Sequence, residues 1–138
     1  MSVSVASQSD LEFTRAFEGG EIPASEFNHL AHLRMAYVYL CRGDLNYAEQ
    51  KMREALLAFL DANEIPREKF HETLTRAWIM AVSHFMSRRD ASAFSEFIAH
   101  SQALLDTKVM LTHYSAAALF SERARTAFVE PDLEAIPC

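Results

Sequence analysis

Residues 25–42, SEFNHLAHLRMAYVYLCR, decide how the rest of the chain is read. From Met35 to Cys41 every side of the helical circumference is apolar, the pattern of a helix enclosed by other helices. Its first two turns nevertheless carry His29 and His32, three residues apart and therefore neighbours on one face. A central helix that opens on two histidines is the one sharp chemical clue in the sequence.

The flanking residues extend the pattern on both sides. Pro23 or Ser25 opens this helix and Gly43 closes it. Asp44 caps a third helix over 45–63, whose Leu45, Ala48, Met52, Ala55, Leu56, Phe59 and Leu60 form one apolar stripe. Pro66 starts a fourth helix over 67–89, apolar through its middle, and Asp90 or Ser92 caps a fifth with Phe94, Phe97, Ile98, Ser101 and Leu105 along one side. Upstream, residues 1–9 read as frayed. Asp10 caps a short covering helix over 11–18 that ends at Gly19-Gly20. Beyond Asp106 the pattern loosens into two short helices with Ser115 or Ser121 as caps, then an extended acidic tail over 130–138. The expectation is all-α: one domain over 1–138, a compact up-down bundle of four main helices, the second to the fifth, with short flanking ones.

Composition supports that reading and removes several functions. A chain of 138 residues, half of them hydrophobic, buries a core without staples, and only three glycines and four prolines punctuate it. The formal charge is −6 and no basic cluster exceeds Arg88-Arg89, which disfavours nucleic acid. No apolar run approaches the roughly 18 residues that span a bilayer. The first ten residues, MSVSVASQSD, lack the charge and apolar core of a signal peptide. Cys41 and Cys138 offer neither a disulfide framework nor thiolate metal spacing, so a reducing cytoplasm is the expected setting. So much apolar helix surface leaves a homodimer open.

Helical phase, at about 100° per residue, puts His29 and His32 on the side that becomes the packed core, with Glu26 nearby. The same arithmetic sets His71 on the stripe of Leu74, Trp78, Val82 and Phe85. In an up-down bundle the second and fourth helices run parallel, and the fifth leads back toward their N-termini with His113 following. Four of six histidines then converge at one pole. In the leading reading His29, His32 and His71 ligate one transition metal ion (zinc, iron or manganese). His113 serves as fourth ligand or general acid/base, with Glu72 or Glu26 as the supporting carboxylate. The metal would act as Lewis acid or activate water on a small-molecule substrate. A histidine near a helix N-terminus is held neutral by the dipole, as a ligand must be. Two Glu-x-x-His pairs, Glu26/His29 and Glu68/His71, match the di-iron bundle pattern in part, but Glu49 and Glu54 fall on an outer face, so a mononuclear site is favoured. The competing reading is a non-enzymatic bundle that binds a small molecule or a protein partner, its histidines forming a structural hydrogen-bond network. A haem binder with one axial histidine is a third.

Four motifs carry a resemblance: His29-x-x-His32-Leu33-Arg34-x-Ala36; His71-Glu72-Thr73-Leu74-Thr75-Arg76-x-Trp78; Leu104-Leu105-Asp106 with His113-Tyr114-Ser115; and Val129-x-Pro131-Asp132-Leu133. Over roughly 27–137 the chain resembles a group of small, uncharacterised bacterial all-helical proteins. The resemblance implies that these motifs belong to one domain and brings no activity, cofactor or partner.

Overall fold

The structure, a computed structural model, describes residues 3–137. Cys138 and the first two residues, on which part of the sequence reading falls, lie outside them. The described residues are all-α. Seven helices run α1 (Gln8–Glu18), α2 (His29–Arg42), α3 (Leu45–Ala62), α4 (Glu72–Met86), α5 (Phe94–Ala99), α6 (Ala116–Leu119) and α7 (Glu122–Thr126), with 3-10 turns between several of them.

α2 is the central helix that its composition requires. Met35, Ala36, Tyr37, Val38 and Tyr39 are all fully buried, because α2 packs against α1, α3, α4 and α5. Two buried tyrosines in one helix need outlets for their hydroxyls. Tyr37 donates to the Val5 carbonyl at 2.6 Å and Tyr39 to the Glu18 carboxylate at 2.7 Å. α2 ends at Gly43 and α3 begins at once, with the Asp44 side chain accepting from Tyr47 N–H. The two-residue connection makes α2 and α3 an antiparallel pair. α4 returns parallel to α2: His32 and His71 near their starts line one cavity, while Cys41 and Met86 near their ends line another.

Several expected boundaries move, each for a local reason. α2 starts at His29 instead of residue 25, because Asn28 accepts from Ala31 N–H and residues 24–26 form a separate 3-10 turn after Pro23. α4 starts at Glu72, not 67. Pro66 leads only a 3-10 turn, Arg67–Lys69, and Phe70 is extended. α4 also stops at Met86, three residues early. The fifth helix is six residues long, and the fourth long helix is α1, a real layer against α2 and α3 with Phe17 buried.

Residues 3–7 lie along the bundle and Gln8 and Ser9 already belong to α1. Val5 N–H bonds to the Ala91 carbonyl, Ala91 N–H bonds to the Val3 carbonyl, and Ser7, not Asp10, caps α1. Asp10 is the acid of a capping box and a buried hub. Its carboxylate accepts from the N–H groups of Ser7 and Phe94 and from the Arg34 guanidinium, tying α1, α2 and α5 together. Burial alone would raise its pKa, but the hydrogen bonds from Phe94, Ser7 and Arg34 outweigh that and hold it below the usual range.

Beyond α5 the chain is mostly short turns: Gln102–Leu105, Val109–Thr112, α6 and α7, then an extended run to 137. Ser115 and Ser121 both cap, accepting from Ala118 and Ala124 N–H. Its turns satisfy many of their own backbone groups. Further partners come from His29 of α2, from Thr73 of α4 and from the α4 N-cap His71.

Candidate functional site

His71 shows the arrangement most completely. It is the N-cap of α4, and its Nδ1 accepts from Leu74 N–H at 3.1 Å. Its Nε2 lies 2.8 Å from the Leu119 carbonyl, so the ring proton sits on Nε2 and is donated there. Both nitrogens are thereby used, and no lone pair is left for a metal in this arrangement. Burial lowers the pKa, against the opposing effect of the Leu119 bond and with help from the nearby Arg125. The neutral ring is the form that can accept at one nitrogen and donate at the other.

His29 and His113 repeat half of this pattern. The His29 Nε2 donates to the Leu104 carbonyl at 2.8 Å, with its ring edge-on to Trp78 at 4.5 Å between centroids. The His113 Nδ1 donates to the Glu134 carbonyl at 2.9 Å, and the His113 carbonyl accepts from Leu133 N–H. Three histidines thus meet three carbonyls, at 104, 119 and 134, all in the irregular C-terminal third. The neighbouring motif residues do related work. Thr73, fully buried, donates to the Ala127 carbonyl and accepts from Val129 N–H. Tyr114 donates to the Val129 carbonyl, and Asp132 accepts from Ser115 N–H. Burial, with the charges of Glu130 and Asp132, pushes the Tyr114 hydroxyl up to about 12, keeping it a donor.

His32 is different. Its Nε2 is buried with no hydrogen-bond partner. Burial, aided by neighbouring His29, pushes its pKa down to about 4, so the ring is neutral at pH 7. It lies 6.0 Å from the Phe27 ring, centroid to centroid.

Of the four histidines of the expected pole, His29 lies between two cavities, packed on Trp78 of one and bonded to Leu104 of the other. His32 and His71 line one cavity of about 290 Å³ together with Phe27, Phe59, Phe70 and Trp78. His113 lines another, of about 220 Å³, with His84. Among the described residues no group of three or more His, Cys, Asp or Glu side chains is placed to hold a metal ion. The candidate carboxylates are engaged elsewhere. Glu72 is ion-paired with Arg53, and Glu26 lies in the 3-10 turn and lines a third cavity, beside Arg34. Glu49, expected on an outer face, instead faces α4 and is ion-paired with Arg76, its side chain only 17% exposed.

Phe27 and Phe70, which helical phase does not single out, each precede a helix cap, Asn28 and His71, and line this cavity. An apolar residue just before a cap is half of a hydrophobic staple, but the positions it would pack against are His32 and Thr75. Asp10 was legible only as a cap, because its partners Arg34 and Phe94 are far away along the chain. No helix among the described residues is long and apolar enough to cross a membrane. Comparison with family models, with curated proteins and with solved structures finds no match to this chain.

Proposed function

We propose that this protein is a non-enzymatic small-molecule-binding bundle whose histidines are chiefly structural, and that its ligand is a compact, mostly apolar aromatic molecule. One observation carries the reading. Three of the four candidate histidines give a ring proton to a main-chain carbonyl, while His32 alone is unpaired, neutral, and set in the wall of an aromatic cavity. A volume of about 290 Å³ suits a one- or two-ring molecule, since an apolar cavity of about 150 Å³ already holds benzene. Phe27, Phe59, Phe70, Leu74 and Trp78 supply the apolar contact. A ligand hydroxyl or N–H that reaches His32 gives Nε2 the partner it lacks. A cytoplasmic setting suits the thiol of Cys41, which burial pushes up to about 11, out of the reactive range.

The test is titration with phenol, indole and naphthol, followed by ring-current shifts at Trp78 and by thermal shift. Saturable binding that is lost in Leu56→Trp, which fills the cavity, and weakened in His32→Leu supports the reading. No saturable binding by any probe overturns it. So does near-stoichiometric transition metal in protein purified without a His-tag, if His29→Ala and His71→Ala strip it while His84→Ala and His100→Ala do not.

A further inference from the structure

The one basic doublet in the chain, Arg88-Arg89, follows the end of α4 at Met86, and His100 is the C-terminal cap of α5. The ends of these two helices bring Arg88, Arg89, His100 and Ser101 to one hollow of about 330 Å³, completed by Phe85 and with no carboxylate in its lining. Its charge is unusual for a molecule of net charge −6. Arg34, Arg53, Arg67 and Arg76 are each ion-paired, whereas among the described residues Arg88 and Arg89, like Arg15, Arg42, Arg123 and Arg125, have no acidic partner, and of these six only Arg88 and Arg89 line this hollow. The Arg88 guanidinium lies over the Phe85 ring, 5.9 Å from its centroid, which leaves the N–H edge of the fork for an oxygen ligand. Ser101 is 3% exposed, yet among the described residues its hydroxyl has no partner and is not sealed from solvent.

Cations at helix C-termini complement the dipole, and that accounts for a positive group at each end separately. It does not account for two helix ends delivering their donors to the same hollow, or for a buried hydroxyl left open there. We propose that this hollow binds the phosphate group of a phosphate monoester. The arginines grip the oxygens in bidentate fashion, Ser101 donates one further hydrogen bond, and the Phe85 side takes the organic part of the ester. The chemistry is the same whether the ester is a soluble molecule or a lipid headgroup.

The intact chain, in low-salt buffer free of phosphate, is titrated with inorganic phosphate and with phenyl phosphate. Binding is followed by calorimetry and by amide shifts at His100 and Ser101. The expected result is saturable one-to-one binding, tighter for phenyl phosphate. It should fall at least tenfold in the Arg88→Gln/Arg89→Gln double variant and several-fold in Ser101→Ala. Arg67→Gln, whose guanidinium pairs with Asp61 elsewhere, should leave it unchanged. Sedimentation with phosphatidylcholine vesicles, with and without phosphatidic acid, separates the sources. Pelleting that needs phosphatidic acid and the two arginines assigns a lipid headgroup, and binding confined to the free ester assigns a soluble ligand. Absence of saturable phosphate binding, or binding undiminished in the folded double variant, overturns the proposal.

Discussion

Replacing His71 by alanine removes two hydrogen bonds at one stroke, and the size of the loss separates a structural imidazole from a ligand. The cap on Leu74 N–H is worth about 1 kcal/mol by comparison with other N-cap deletions. Stranding the Leu119 carbonyl in a site where the histidine is 9% exposed costs a further ~1–3 kcal/mol. The sum is roughly 2–4 kcal/mol, which for a domain of this size lowers Tm by about 8–16 °C. His71→Asn discriminates further. Asparagine caps helices well but is too short to reach Leu119, so about 1 kcal/mol, roughly a quarter to a half of the loss, should be recovered. Urea unfolding at pH 7.5, with and without EDTA, reads the stability. Amide exchange across 116–126 reads the local release of α6 and α7. A change in His71→Ala below ~0.5 kcal/mol, the usual range for substitutions away from such features, would refute the reasoning, as would a wild-type stability that collapses with EDTA.

Other perturbations follow from the same bonds. His32 is harder to protonate in the folded chain, with a pKa of about 4 against the ordinary 6.5, so the unfolded state binds more protons between those values. Stability should fall as pH drops through that window, by on the order of 3 kcal/mol, and His32→Leu should flatten the fall. Asp10 acts in a lower window: its lowered folded pKa contributes stability above an unfolded value of about 3.9, lost as pH falls further. Asp10→Ala should cost roughly 2–4 kcal/mol at pH 7 in denaturant unfolding, since it strands Phe94 N–H and a partly buried Arg34. Thr73→Val and Tyr114→Phe should each cost about 1 kcal/mol and speed amide exchange at 127–133 while leaving α3 protected.

What could be read from the sequence was whatever depends on neighbours along it. The all-round apolar run Met35–Cys41 marks a buried helix without reference to anything else, and Gly43-Asp44 both ends α2 and caps α3 through local bonds. The stripe of α3 is likewise a property of its own periodicity. Helix starts at prolines were misplaced because Pro23 and Pro66 suit 3-10 turns as well as α-helices, and the true starts wait for side chains able to cap, Asn28 and His71. The fifth helix was overextended because Ser101 and Leu105 continue its apolar spacing through what is a separate turn. For the histidines, phase placed the side chains correctly toward the interior but could not say what awaits them. Leu104, Leu119 and Glu134 are reached 75, 48 and 21 residues away, through backbone carbonyls that every residue possesses and no pattern advertises.

The central claim, that His29 and His71 tie the C-terminal third to the bundle through hydrogen bonds while His113 braces that third from within, is tested most directly by long-range nitrogen–proton correlation spectra of the imidazole rings. At pH 7.5 the account predicts that Nε2 of His29 and of His71 and Nδ1 of His113 each carry the proton given to a carbonyl, and that the His32 ring stays neutral down to about pH 4. Added zinc should leave the His71 signals in place. Spectra in which His29, His32 and His71 shift together on stoichiometric zinc, with His71 no longer carrying its Nε2 proton, would contradict it.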